Sequence, residues 1–297
     1  MKFGIFTNPK RPKIPQDKIF KLIQLAGLTY SAKDPDIAIV VGGDGTFGYY
    51  GRILSIPMLF VGVNDPELLG SKARLAEIFF NNLDKVLRDI NLGKYIVEEK
   101  KMFSVNFGKN NSTGAHDVLT DIYLERGAFS GCIRYTVSIS CNGLSNNIYR
   151  NAYDNHDFFV DENYIIEHAI GNGVIISSSF GSKGYYSYPQ RLKLIGDSGS
   201  LGKIESFADN KLGICHIIPT FLVRQTNKKK EPTPSEFINY VVPWQSTIKI
   251  SLFREAKVRL YGTTDVPSGI PIKINDEIKI GPSRKAAKII RLQDRTR

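Results

Sequence analysis

The amino-acid sequence predicts an α/β amino-terminal domain with a Rossmann-like parallel sheet, followed by an all-β domain of the β-sandwich kind. Over roughly the first 95 residues, apolar runs alternate with amphipathic segments, the order of a mainly parallel sheet covered by helices. After Gly93 the pattern changes to many short strand-like segments separated by turn residues, as in antiparallel sandwiches. We therefore expect an α/β domain at residues 1–95 and a β-rich domain at residues 96–280.

Three apolar runs predict the central strands of the first domain. Phe3–Thr7, Ile37–Val41 and Pro57–Val63 contain few polar residues, a composition typical of strands that are buried on both faces. Amphipathic periodicity predicts three helices: one that Asp17 can cap and that ends at Gly27, one over 47–54, and a long one over about 72–90.

The second domain is predicted from short segments with strand-like patterns. Turn residues separate these segments, and few helical stretches interrupt them. The predicted strands are residues 95–97, 103–107, 121–124, 135–140, 158–160, 173–177, 212–218, 246–252 and 257–261.

Composition limits the classes of protein to be considered. Hydrophobic residues make up 42% and charged residues 23% of 297, close to ordinary globular usage. No apolar run reaches the roughly 20 residues of a membrane-spanning helix. Three cysteines favour neither a disulfide framework nor a zinc site, and we expect a cytoplasmic protein. The net charge of +11 indicates either anionic partners or a solvated lysine-rich surface, and no nucleic-acid-binding module is recognisable.

The loop Gly42-Gly43-Asp44-Gly45-Thr46 follows a predicted parallel strand, at the edge where open α/β sheets bind ligands. Its glycines let backbone amides and a helix amino terminus approach a phosphate. Its carboxylate can accept a proton from a substrate hydroxyl, as phosphorylation of an alcohol requires. The alternative is a tight strand-to-helix turn in which Asp44 only caps the helix. The spacing matches neither a Walker loop nor the dinucleotide fingerprint.

This loop resembles the signature of the NAD kinases and of their relatives, the diacylglycerol and sphingosine kinases. Two further segments favour the NAD kinases. Residues 56–64 resemble the strand and Gly-x-Asn turn that follow the loop in that family, and residues 177–185 resemble its serine- and threonine-rich loop. The order and spacing of these segments hold over nearly the whole chain.

The resemblance implies a kinase that transfers a phosphoryl group from ATP or polyphosphate to the adenosine 2′-hydroxyl of NAD. Asp44 would activate the hydroxyl, Mg²⁺ would assist, and residues 281–297 would return to the first domain. It also implies a homodimer or homotetramer, with NAD and ATP as small-molecule substrates and neither nucleic acid nor membrane as a partner. The residues expected to hold phosphates or nucleotide are Gly42, Gly43, Gly45, Thr46 and Asn64.

The same resemblance assigns NAD binding to six positions of the second domain, four of which depart from the family pattern. Thr120 and Asp121 take the place of an Asn-Glu pair, Asn172 replaces an aspartate, and Lys183 replaces a threonine. The six positions are Thr120, Asp121, Asn172, Ser182, Lys183 and Tyr185. Two alternative functions remain open: a lipid kinase of the diacylglycerol or sphingosine type, and a nucleotide-binding sensor without catalysis.

Overall fold

A computed structural model describes residues 1–8, 14–63, 73–108, 115–128, 131–141, 147–151, 157–160, 164–187, 206–226, 231–235, 238–263 and 268–293. The chain forms two compact units. The first comprises residues 1–101 and 286–297, and the second comprises residues 102–285. Within the described residues, no helix is long and apolar enough to cross a lipid bilayer.

The first unit is built on a parallel sheet. Its strands run in the order β2 (Thr29–Tyr30), β1 (Lys2–Thr7), β3 (Ile37–Gly42) and β4 (Met58–Gly62). Two further strands pair with β4 in parallel: β5 (Ile78–Phe79), and the end of β21 (Glu277–Leu292), where Ile289 pairs with Met58. All residues of β3 and β4 are buried, as their continuous apolar sequences predict.

Helices cover both faces of this sheet. On one face, α1 (Gln16–Leu25) and α3 (Leu83–Asn91) bury Ile23 and Leu87 among the side chains of β3 and β4. On the other face, α2 (Asp44–Ile53) stacks Phe47 on Phe60 with ring centroids 4.6 Å apart. The predicted α/β class is thereby confirmed.

The long helix predicted over 72–90 is wrong in its first half. The helix begins only at Leu83, after β5 and a short 3₁₀ turn at Phe80–Asn82. Ile78 is buried because it belongs to a strand and pairs with Val61. Its spacing from the apolar residues of α3 matches a helical period, but it does not belong to a helix. Asp17 lies in the first turn of α1, whose cap position is occupied by Pro15.

The second unit contains two antiparallel sheets. The first has the strand order β16-β15-β12-β9-β18-β21, and the second has the order β11-β10-β17-β14-β13-β8-β19-β20. The strands of the first sheet are β9 (Ile133–Ser140), β12 (Tyr164–Gly171), β15 (Phe221–Thr226), β16 (Thr233–Pro234), β18 (Thr247–Leu252) and β21. Those of the second are β8 (Asp121–Arg126), β10 (Asn147–Asn151), β11 (Asp157–Val160), β13 (Gly173–Ser178), β14 (Lys211–Ile217), β17 (Asn239–Pro243), β19 (Val258–Tyr261) and β20 (Ile270–Ile272).

Side chains from both sheets form a large apolar core in this unit. Val137 and Ile250 contribute from the first sheet, and Ile176 and Ile214 from the second. Strands β9 and β12 alternate buried and partly exposed residues, which is the expected period of a half-buried sheet. This sandwich confirms the predicted all-β class.

Two strands that were predicted separately in the β-rich region form a single strand in the structure. β6 (Tyr95–Asn106) is continuous where segments at 95–97 and 103–107 were expected, and β7 (His116–Val118) pairs with its second half. The intervening residues Glu98 to Lys101 are charged, which interrupts the apolar pattern without interrupting the strand. These charged residues therefore mark an exposed stretch of one strand and not a turn between two strands.

Candidate functional site

The glycine loop is a sharp passage from β3 into α2. Gly43 occupies the helix cap position in an extended conformation, and its carbonyl accepts from Thr46 N at 2.9 Å. A Cβ on Gly42 would lie 2.6 Å from Thr46 Oγ1, so this glycine lets the first helical turn pack on the strand end. A Cβ on Gly45 would meet nothing within 4 Å, and Gly45 is exposed. Packing within the chain therefore does not explain Gly45, whereas close approach of a ligand would.

Asp44 is the first residue of α2, and the cap position before it is occupied by Gly43. Asp44 Oδ1 accepts a hydrogen bond of 2.9 Å from the backbone N–H of Leu75. The carboxylate is half-buried at the amino terminus of α2, where the helix dipole favours a negative charge. Asp44 is therefore not the cap residue of α2, and its side chain contacts the backbone of another segment.

In the second unit, the serine-rich loop is fixed against the bend that precedes β8. Ser178 N donates to Thr120 O at 2.8 Å, and Ser177 Oγ donates to the same carbonyl at 3.3 Å. A Cβ on Gly181 would lie 2.4 Å from Thr120 O, so only glycine fits there. The structure therefore brings together two segments that lie more than fifty residues apart in sequence, with hydrogen bonds spanning 57 positions.

Several predicted site residues are built into this arrangement rather than projecting from it. The Thr120 side chain is 7% exposed, and Ser182 is 1% exposed with its hydroxyl donating to Ser179 O at 2.6 Å. Lys183 ends the short 3₁₀ turn Gly181–Lys183 and is exposed, while Asp121 is half-buried at the start of β8. Asn64, predicted to hold nucleotide, lies outside the described residues.

Asn172 forms the bend between β12 and β13. Its N–H donates to Ile217 O at 2.9 Å, and its carbonyl accepts from Arg126 N at 3.1 Å. The next residue, Gly173, has φ +149, and a Cβ there would lie 1.9 Å from Leu124 O. Glycine is therefore required at 173, and it fixes the backbone that presents Asn172.

Tyr185 belongs to a group that the sequence alone did not reveal. Its hydroxyl donates a short hydrogen bond to Glu125 Oε1. Its ring meets Tyr123 edge-on at 4.7 Å, and Tyr123 stacks on Tyr261 at 4.9 Å between centroids. Burial raises the pKa of both Tyr185 and Glu125, and the carboxylate raises that of Tyr185 further. The period-two spacing of Tyr123 and Glu125 on β8 was the signal that could have suggested this shared face.

A second group that sequence reasoning missed is buried beneath Gly173. Glu167 is fully buried, and its carboxylate accepts from His216 Nε2 at 2.9 Å and from Arg224 Nη2 at 2.7 Å. The Tyr240 hydroxyl donates a short bond to the same carboxylate. His216 Nδ1 lies 2.9 Å from the Tyr135 hydroxyl, which donates to Gly173 O at 2.6 Å. The network therefore links a buried ion pair to the backbone beside Asn172.

The described residues offer no group of three or more histidine, cysteine or carboxylate side chains that would enclose a metal ion. Mg²⁺ seldom needs such an enclosure, since it is commonly bound through phosphate oxygens and water with one or two carboxylates. A cation that is held mainly by the phosphates of a nucleotide is therefore compatible with the described residues.

Several relatives extend over most of the chain. The NAD kinase of Carboxydothermus hydrogenoformans is 26% identical over 279 residues, which is 93% of this chain and 81% of that protein. No protein-family model matches the chain. The resemblance first drawn from the glycine loop and the serine-rich loop therefore has a counterpart over nearly the full length.

Solved structures give the same fold. The structure of yeast NADH kinase in complex with NADH matches with a TM-score of 0.59 at 15% identity, covering 98% of this chain and 83% of that one. An NAD kinase from Archaeoglobus fulgidus in complex with ATP matches with a TM-score of 0.57 at 15% identity, covering 98% and 93%. Together with the relatives that span most of the chain, these matches show that the chain resembles the NAD kinases over nearly its whole length and has the fold of these two solved structures.

Proposed function

We propose that this protein is an NAD kinase that transfers the γ-phosphoryl group of ATP to the adenosine 2′-hydroxyl of NAD, forming NADP. The observation that carries the proposal is the glycine loop. It lies at the carboxyl end of buried strand β3, exposes Gly45 and opens α2 with a half-buried Asp44. The family relatives named NAD kinase support the choice of acceptor, and the complex of one structural neighbour with ATP supports the choice of donor.

Asp44 is the general base in this mechanism. Its carboxylate accepts the proton of the 2′-hydroxyl as the oxygen attacks the γ-phosphorus, and the β-phosphate oxygen of ATP leaves with ADP. Gly42, Gly43, Gly45 and Thr46 would hold phosphate oxygens through backbone amides at the start of α2. Mg²⁺, if it is bound with the donor, would supply charge neutralisation on the transferring group.

The second unit would bind the dinucleotide. Asp121 and Asn172 offer oxygen acceptors for ribose or amide groups, and the Tyr185 ring offers a surface for a planar base. Thr120 and Ser182 would act mainly by shaping the serine-rich loop, since both side chains are buried. Lys183 would add a positive charge near a phosphate of the ligand.

A panel of acceptors and donors tests the proposed function. Purified protein is incubated with NAD, NADH or diacylglycerol, and with ATP or polyphosphate, in the presence of Mg²⁺ or of EDTA. We expect NADP from NAD and ATP only when Mg²⁺ is present, detected with an NADP-specific dehydrogenase. A phosphorylated lipid, or nucleotide binding without any turnover, would contradict the proposal and favour the lipid kinase or the sensor respectively.

Replacing Lys183 with threonine tests the dinucleotide side. A lysine–phosphate contact is a charge-assisted bond worth about 1.5–3 kcal/mol, so Lys183→Thr should weaken binding by roughly 10- to 150-fold. The loss should be larger at low than at high ionic strength, because salt screens the charge. Calorimetric titration with NAD and with ATP, at two salt concentrations, identifies the affected ligand. Lys279→Thr, at another exposed lysine of this unit, is the matched control, and equal affinities for both variants would contradict the contact.

A homodimer or homotetramer is part of the same proposal. The outer face of the first sheet in the second unit carries partly exposed Ile166 and Ile170, with Phe221 48% and Phe253 55% exposed. Covering such an apolar face would be favourable by about 25 cal/mol per Å². Light scattering should give the mass of a dimer or a tetramer of the 33.3 kDa chain, and Phe253→Asp should lower this mass. A monomer at all concentrations would contradict this.

A further inference from the structure

The amide that contacts Asp44 belongs to a short turn, residues 73–77, which we call the Leu75 turn. Ala73 has φ 46 in the left-handed region, and its carbonyl accepts from Ala76 N at 3.1 Å. Glu77 N then donates to Phe60 O at 2.9 Å, which attaches the end of the turn to β4. The position of the Leu75 N–H therefore depends on what holds this turn in place.

Glu77 attaches the Leu75 turn to the last two residues of β21. The residue is 9% exposed, and its Oε2 accepts from Arg291 Nη1 at 2.7 Å while its Oε1 accepts from Leu292 N at 3.2 Å. Arg291 is fixed in turn, because its Nε donates to Glu98 Oε2 at 2.7 Å. Burial lowers the pKa of Arg291, but the bonds to Glu98 and Glu77 outweigh burial and raise it. The anchor thus consists of charge-assisted hydrogen bonds in which Arg291 bridges two carboxylates, and such bonds are stronger than neutral ones.

We propose that Glu77 and Arg291 are positioning residues for Asp44, acting through the Leu75 amide. The ion pair holds the Leu75 turn, the turn holds its N–H at 2.9 Å from Asp44 Oδ1, and this bond fixes the direction of the carboxylate. The inference rests on the proposed function, in which Asp44 must meet a hydroxyl at hydrogen-bond distance. A displacement of about 1 Å in such a group can cost about 100-fold in rate.

The simpler possibility is that the Glu77–Arg291 pair only stabilises the fold. A half-buried ion pair can do so without any effect on catalysis. The two roles differ in what they predict for a doubly substituted protein. If the pair only stabilises the fold, the effects of replacing Glu77 and of replacing Asp44 are independent and add in the double variant. If the pair acts through Asp44, replacing Glu77 has no further effect on turnover once Asp44 is replaced.

The test measures NADP formation and amide exchange in the full-length protein. Glu77→Gln keeps the size of the side chain and removes the charge that binds Arg291. We expect kcat to fall about 10- to 100-fold, with KM for NAD and ATP within about twofold and faster hydrogen exchange at the Leu75 amide. In an Asp44→Asn background, Glu77→Gln should cause no further loss of kcat. Asp84→Asn, which breaks the exposed 2.7 Å pair between Asp84 and Arg88, is the control and should change neither readout.

Each failure has its own signature. An unchanged kcat and a protected Leu75 amide in Glu77→Gln would overturn the positioning role, and so would an additional loss in the Asp44→Asn background. If Glu77→Gln does not fold, Arg291→Lys keeps the charge but loses the two-pronged geometry, and the same outcomes apply. A native protein that forms no NADP would refute the proposed function instead. In that case exchange at Leu75, compared between native protein and Asp44→Ala, still reports the contact itself.

Discussion

Replacing Asp44 with asparagine is expected to lower kcat by about 10²–10⁴-fold, the usual contribution of a positioned general base. Asparagine has nearly the same shape, and its side-chain oxygen can still accept from the Leu75 N–H that Asp44 Oδ1 now accepts at 2.9 Å. The fold and the affinity for nucleotide should therefore change little, while the ability to take a proton is lost. Steady-state kinetics of NADP formation, with nucleotide affinity measured separately, provides the comparison.

Asp84→Asn is again the matched control for this substitution, because Asp84 is an exposed aspartate of the same unit and lies in α3. It should retain native turnover. If Asp44→Asn retained native turnover as well, base catalysis by the glycine loop would have to be abandoned, and the loop would be left with a phosphate-binding role only.

Replacing Glu167 with glutamine is expected to have the largest effect on stability. Removing one partner of a buried ion pair costs about 3–5 kcal/mol, because the other partner stays buried without compensation. Glu167 is fully buried between Arg224 and His216, and glutamine would turn an amide N–H toward groups that are themselves donors. Chemical denaturation of both proteins gives the difference in the free energy of unfolding.

The pH dependence of stability checks the same residue. Burial alone would raise the pKa of Glu167, but Arg224 and His216 lower it from 4.5 to about 2. A carboxyl group with a depressed folded-state pKa stabilises the protein above its unfolded pKa, and this contribution is lost as pH falls through the folded value. Native protein should therefore lose about 3 kcal/mol between about pH 4.5 and pH 2 on account of this group, and Glu167→Gln should lack that part of the loss.

Glu277→Gln serves as the control for Glu167→Gln. Glu277 pairs with Lys249 at 3.2 Å on the surface, where both side chains are more than 40% exposed. Exposed pairs contribute about 0–1 kcal/mol, so this variant should be nearly as stable as the native protein. Equal stabilities for the two variants would contradict a structural role for the buried network beneath Gly173.

The parallel sheet of the first unit could be predicted because its strands are fully buried. Ile37–Gly42 and Met58–Gly62 have no polar face, so their sequences contain no competing helical period. The helix predicted over 72–90 failed for the opposite reason. Leu75 and Ile78 match a helical period with α3, yet the first belongs to a turn and the second pairs with β4. Short apolar segments are ambiguous between helix and strand, and tertiary contacts decide between them.

The candidate site was predictable only where it is local in sequence. The glycine loop is contiguous, so its chemistry could be inferred from five adjacent residues. The contact of Asp44 with Leu75 spans 31 positions, and the bond between Glu77 and Arg291 spans 214. Glu167 was likewise hidden, because a carboxylate in an alternating strand is ordinarily expected on the solvent face. The roles of such residues can be recognised only when the three-dimensional contacts between distant segments are known.

Transfer of a labelled phosphoryl group tests the central claim most directly. ATP labelled at the γ-phosphate is incubated with NAD, Mg²⁺ and either the native protein or Asp44→Asn, and the nucleotides are separated. We predict that the native protein moves the label into a product that an NADP-specific dehydrogenase reduces, and that Asp44→Asn forms this product at least about 100-fold more slowly. Label that stays in ATP, is released as free phosphate, or enters NADP equally fast with both proteins would contradict an NAD kinase that uses Asp44 as its base.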